Sequence, residues 1–107
     1  MAKRKAKGFK SMQERLPAVL RQLGLNDKML AYRAVADWSL IAGEGLAKHS
    51  RAFAVEDKTL VVAVDSPAWM AQLYYLKGEL LTKISRHIGK GLITDVRFVL
   101  KSTPFNT

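Results

Sequence analysis

Residues 60–69 read Leu60-Val61-Val62-Ala63-Val64-Asp65-Ser66-Pro67-Ala68-Trp69. In an extended chain the first five place Leu60, Val62 and Val64 on one face and Val61 and Ala63 on the other. Asp65-Ser66-Pro67 then changes the period. A short polar side chain accepts from the free N–H groups of a first helical turn, and proline at the first helical position sacrifices no hydrogen bond. A strand therefore hands over to a helix here, with Ser66 as its cap. Downstream, Trp69, Leu73, Leu76, Leu80, Ile84 and Ile88 recur at helical spacing, flanked by Met70, Tyr74 and Leu81. The spacing predicts a long helix to about Ile88, with Gly78 marking a kink or a break into two helices at a cost of about 1 kcal/mol relative to alanine. Gly89 and Gly91 end it. Val96, Phe98 and Leu100 then alternate with Arg97, Val99 and Lys101 as a third strand.

Upstream, the larger side chains of Arg51-Ala52-Phe53-Ala54-Val55 alternate, and the polar Glu56-Asp57-Lys58 separates them from the next run, so the pair reads as a hairpin. Before it, Asn26-Asp27 offers N-cap chemistry, and Leu30, Ala31, Ala34, Val35, Trp38, Ile41 and Ala42 form one broad helical face. Gly43 and Gly45 weaken that helix, with a last turn reaching Lys48. An earlier helix is predicted from the capping-box pattern of Ser11 and Glu14 and from Leu16, Val19, Leu20 and Leu23, with Pro17 either kinking it or marking its true start and Gly24 closing it. The order is α-α-β-β-α-β. Three strands expose a face unless helices cover it, so the fold class is α+β, a two-layer domain with a three-stranded sheet covered by helices. If the second and third strands are parallel neighbours, their crossover should be right-handed.

The chain has 107 residues, the size of one domain, and the helix and strand patterns place that domain at residues 11–101. Residues 1–10 are expected to be a flexible basic arm and residues 102–107 a short polar stub. Cysteine is absent, which excludes disulfides, thiolate metal sites and a cysteine nucleophile. No apolar run approaches the roughly 18 residues of a membrane span, and no apolar h-region follows the basic start. Charge is more telling. Eighteen Lys+Arg against nine Asp+Glu leave +9. Lys3, Arg4, Lys5, Lys7 and Lys10 put +5 of it on the arm, leaving +4 for the other 97 residues. Such an excess suits a polyanion, nucleic acid first.

Catalytic signatures are thin. There is no P-loop, and Gly43-Glu44-Gly45 follows a helix and lacks a third glycine. His49 and His87 are 38 residues apart, and neither has a metal-ligand neighbour at helical spacing. Ser50 and Ser66 sit in no nucleophile elbow. The sequence thus points away from an enzyme, a metal, a cofactor or a small-molecule substrate. His49, just before a strand, reads as a surface or half-buried hydrogen-bonding group. Trp38 and Trp69 lie on apolar stripes and read as core. Tyr75 lies off the stripe, on a face with Glu79, Lys83, Arg86 and Lys90. Glu79 and Lys83 form a favourable i,i+4 pair. Arg86 and Lys90 are then uncompensated cations near the helix C-terminus, and Tyr75 offers a stacking surface for single strands. Lys48 and Arg51 are further candidates for the basic patch.

Trp38, Ile41-Ala42-Gly43, Leu46-Ala47, His49, the 60–64 strand, Asp65-Ser66-Pro67-Ala68-Trp69, Leu73 and the closing Ile93-Thr94-Asp95-Val96-Arg97-Phe98 together resemble the DciA family of bacterial replicative-helicase operators. The resemblance covers about residues 11–101. It implies a KH-like α+β domain that binds the DnaB-type hexameric helicase and helps place it on DNA without hydrolysing ATP. It also implies a cytoplasmic, nucleoid-associated bacterial protein with no membrane partner. One departure is that no G-x-x-G occurs, so the usual KH nucleic-acid clamp is not carried over. Another is that some members carry a long C-terminal extension used for the helicase, whereas the sequence here stops at Thr107. The expectation is a non-enzymatic DNA-binding adaptor for the helicase, gripping phosphates with the arm and with Lys83, Arg86 and Lys90. The alternative is a KH-like RNA- or ribosome-associated factor.

Overall fold

A computed structural model describes residues 26–101. Three short helices come first: α1 (Asp27–Ala36), α2 (Trp38–Ala42) and α3 (Glu44–Ala47). A hairpin of β1 (Ser50–Glu56) and β2 (Thr59–Val64) follows, then α4 (Pro67–Tyr75), α5 (Lys77–Ile88) and β3 (Asp95–Leu100). The sheet order is β1-β2-β3, with β1 antiparallel and β3 parallel to β2. This is the two-layer α+β domain expected, with the predicted second and third helices broken into pieces. The predicted first helix lies outside the described residues.

The caps form as their chemistry dictates. The Asn26 side chain accepts from the Met29 N–H at 2.9 Å, and the Ser66 hydroxyl accepts from the Trp69 N–H at 3.3 Å with Pro67 at the helix start. The long third helix breaks at Leu76 (φ −90, ψ 7), two residues ahead of the expected Gly78, which sits inside the first turn of α5. The earlier helix breaks at Asp37, whose carboxylate leaves the helix axis for His87, and again at Gly43, where φ is +92.

The hairpin closes through two residues, Asp57 (φ 53) and Lys58 (φ 64), both left-handed, which is the turn that matches strand twist. Lysine is strained there. Lys58→Gly should stabilise the domain by about 0.5 kcal/mol, the relief of left-handed strain exceeding glycine's entropic cost. Thermal unfolding checks this, and a lower Tm would refute it.

Strand β1 departs from simple alternation. Ala52 pairs with Val62 and Ala54 with Val61, so Phe53 is the extra residue of a β-bulge. The bulge turns Ala52 and Val55 toward the helices and leaves Phe53 43% exposed on the other face. Strand β2 is buried on both faces. Leu60, Val62 and Val64 meet Leu30, Ala34, Trp38, Leu73, Leu80, Ile84 and Ile88 in the core. Val61 and Ala63 lie on the far face, where long side chains from β3 reach across to β1. Arg97 hydrogen-bonds Glu56 at 2.8 Å, and the Lys101 ammonium lies 5.0 Å from the Phe53 ring centre.

Trp38 ties three elements together. Its indole N–H donates to the Ser50 hydroxyl at 3.0 Å, and that hydroxyl donates to the Leu46 carbonyl at 2.6 Å. Trp38 and Ser50 are both buried, so this short chain satisfies polar groups that water cannot reach.

Candidate nucleic-acid interface

Helix α5 buries Leu80, Ile84 and Ile88 and turns Glu79, Lys83 and Arg86 to solvent. Its outer flank lies beside α2. Lys83 and Arg86, one helical turn apart, line an open depression of about 350 Å³ with Leu40, Ile41, Gly43 and His87. Leu40 is 75% exposed at its rim. His87 Nε2 lies 2.8 Å from Asp37 Oδ2, and Arg33 is 3.9 Å from the same oxygen, so the Asp37 carboxylate is engaged by these two partners. Among the described residues no ion pair closes on Lys83 or Arg86, and the expected Glu79–Lys83 pair does not form. The result is two open cations beside an apolar lip, near a helix C-terminus whose dipole favours them.

The other sequence-derived candidates are more scattered. Lys90 lies beyond the end of α5, past Gly89 with φ +113, and not on the helix face that the spacing predicted. Lys48 is exposed at the end of α3; Arg51 is exposed on β1 and already interacts with another group. Neither lines the depression. Tyr75 is 86% exposed, but it ends α4, so the break at Leu76 separates it from Lys83 and Arg86 and the single Tyr75–Lys90 face is not formed. Lys3, Arg4, Lys5, Lys7 and Lys10 lie outside the described residues.

Two arrangements escaped the sequence reading. Tyr74, expected to flank the buried stripe, is 65% exposed and meets Phe98 edge-on at 6.4 Å between ring centres. It borders a groove of about 570 Å³ with Met70, Val96 and Phe98. Lys77 and Asp95 clasp across this groove at 2.7 Å. The Lys77 hydrogen bond, followed by that of the Val96 N–H, holds the Asp95 carboxyl below the usual aspartate range, and the Asp95 hydrogen bond raises the Lys77 ammonium above the usual lysine range. The aspartate contribution is lost only as pH falls through that depressed value, and the lysine contribution only as pH rises through the raised one, so the clasp persists across neutral pH. The second arrangement is His49, half-buried as expected, whose ring stacks on Trp69 at 4.2 Å and 11° while Nδ1 lies 3.0 Å from Asp65. Each residue was legible alone, but their juxtaposition was not.

Residues 11–98 match the family model described as "Dna[CI] antecedent, DciA". The chain belongs to the DciA family. Its curated relatives include UPF0232 proteins of actinobacteria. One from Rhodococcus jostii (strain RHA1) is 28% identical over 87 residues, covering 81% of this chain and 46% of the relative. One from Corynebacterium glutamicum (strain R) is 26% identical over 102 residues, covering 95% and 57%. One from Mycobacterium tuberculosis (strain H37Rv) is 30% identical over 70 residues, covering 65% and 37%. This DciA chain spans about half the length of the curated relatives it matches. The DciA family is associated with loading of the replicative helicase, and the relatives named here are bacterial. No helix among the described residues is long and apolar enough to cross a membrane.

Proposed function

We propose that this DciA domain is a non-enzymatic adaptor that grips DNA through its phosphates and engages a DnaB-type replicative helicase to help place it on the strand. The observation that carries the reading is the open pair Lys83 and Arg86 beside exposed Leu40, in a chain of net charge +9. Cations without carboxylate partners keep their full attraction for phosphate and release counterions on binding. Phosphate contacts of this kind position a strand without reading its sequence, which suits a factor that acts wherever a helicase must be placed. Lys90, Lys48, Arg51 and the arm cations Lys3, Arg4, Lys5, Lys7 and Lys10 are proposed as further phosphate contacts outside that depression, and Tyr75 as a base-stacking surface. The adaptor acts in the bacterial cytoplasm at the nucleoid.

Fluorescence anisotropy of a labelled single-stranded oligonucleotide, titrated at several salt concentrations, tests this. Lys83→Gln with Arg86→Gln should flatten the slope of log affinity against log salt by about 1.4, at about 0.7 for each phosphate no longer neutralised. A slope that does not change removes these residues from the interface. In a loading assay with purified replicative helicase, the same variant should deliver less helicase to a single-stranded circle than the native chain does.

A further inference from the structure

We propose that the open half of the β3 edge is a docking site for an extended, acidic segment of a partner protein, which adds to the sheet as a fourth strand. This goes beyond the phosphate-binding reading and uses none of its residues on α5.

Backbone parity locates the site. The Asp95 N–H donates to the Lys58 carbonyl and the Lys101 N–H to the Val64 carbonyl. In a parallel ladder the residues at 95, 97, 99 and 101 therefore turn their N–H and C=O groups toward β2, and those at 96, 98 and 100 turn theirs outward. The Val96 N–H is taken by its neighbour, donating to Asp95 Oδ1 at 2.9 Å, and the Lys77–Asp95 clasp guards that end of the edge. Among the described residues nothing takes the outward N–H groups of Phe98 and Leu100. The opposite edge is protected differently, because the bulge at Phe53 spoils the regular spacing a new strand would need. Among the described residues the sheet thus has one regular, unguarded stretch of edge.

The side chains there are as open as the backbone. Val96, Phe98 and Leu100 point to the helix side, but cover falls away along the strand: Val96 is 1% exposed and Leu100 52%. Tyr74 stands beside Phe98 and is itself 65% exposed. A strand laid against Phe98 and Leu100 would place alternate side chains against this aromatic and aliphatic strip, with the others toward the far face of the sheet. The occupant's charge follows from the surroundings. Asp95 and Glu56 are held by Lys77 and Arg97, and Lys101, at the open end, has only the Phe53 ring. With Lys101 at the open end and residues 26–101 at a net +3, an acidic segment with apolar residues at alternate positions is complementary.

The probe is a fluorescein-labelled peptide of alternating glutamate and valine or phenylalanine, titrated against the whole chain. Anisotropy should show saturable binding, and amide exchange should slow at Phe98 and Leu100. Leu100→Pro removes an outward N–H, which an edge strand tolerates, together with the Leu100 side chain of the strip, and should weaken binding about tenfold; N-methylation of the peptide's alternate backbone nitrogens, tested on the native chain with its strip intact, should weaken it as much through the backbone alone. Tyr74→Ala should weaken it about fivefold, because no ring then packs against the peptide. Lys83→Gln with Arg86→Gln should leave peptide affinity unchanged, which separates this site from the phosphate-binding one. The proposal is overturned if the N-methylated peptide binds as well as the parent, or if exchange at Phe98 and Leu100 does not slow. It is equally overturned if an oligothymidine displaces the peptide, marking a nucleic-acid groove, or if sedimentation shows a dimer that Leu100→Pro dissolves, marking self-pairing.

Discussion

Trp38→Ala should cost about 3–5 kcal/mol of folding stability, the range for deleting a buried aromatic. The indole is 4% exposed and lies where α2 meets β1, so its removal leaves a cavity that neither element can close without giving up other packing. The hydrogen bond to Ser50 makes the effect separable. Trp38→Phe keeps most of the apolar packing and leaves the Ser50 hydroxyl still donating to Leu46, so it should cost less than the alanine change. Ser50→Ala does the reverse. It keeps the ring and leaves its buried N–H without an acceptor, a penalty of about 1–3 kcal/mol. Urea unfolding followed through Trp69, the second of the two tryptophans, reports on the Trp38 variants. At about 4–8 °C per kcal/mol for a domain of this size, the alanine variant should melt at least about 12 °C lower. A loss below about 1 kcal/mol would mean that the site collapses freely, and that Trp38 does not hold α2 to the sheet.

The sequence displayed the fold wherever a local rule and the tertiary structure agree. Ser66-Pro67 caps and opens a helix whatever surrounds it, and the five apolar residues before it suit only a central strand. Divergence began where neighbours decide. Phe53 sits in a run that alternates by size, but the small Ala52 and Ala54 permit a bulge, and the ring lies outside under Lys101. Gly78 was the evident weak point of the long helix. The chain breaks at Leu76 instead, next to Lys77, whose side chain reaches Asp95 on β3, a partner 18 positions away that no helical pattern reveals. The same limit applies to the candidate interface. The exposure of Lys83 and Arg86 followed from helical periodicity, whereas their place beside Leu40 depends on α2 packing against α5. Helical spacing alone puts Tyr75 and Lys90 on one face with them, and the break at Leu76 and the turn at Gly89 remove that face.

Deleting residues 1–10 should produce the largest change in DNA binding. The arm is proposed to supply five of the cations that meet phosphate, and residues 26–101 hold eleven bases against eight acids, a net of only +3. At about 0.7 per phosphate on single strands, removing five cations flattens the salt slope by up to about 3.5. Over a fourfold rise in salt, the full chain should then lose about a hundredfold more affinity than the shortened one. Two controls identify the cause. Replacing Lys3, Arg4, Lys5, Lys7 and Lys10 by glutamine should reproduce the deletion, because only charge is removed. Reordering the ten residues should leave the slope unchanged, because a sequence-blind electrostatic arm has no required order. Thermal unfolding of the shortened chain should stay close to that of the full chain, because among the described residues the buried core cluster runs from Leu30 to Val96. An unchanged slope after deletion would reduce the arm to an aid to solubility and leave α5 to hold the strand alone. In that case Lys83→Gln with Arg86→Gln in the shortened chain should abolish measurable binding, and failure of both experiments would remove the phosphate grip altogether.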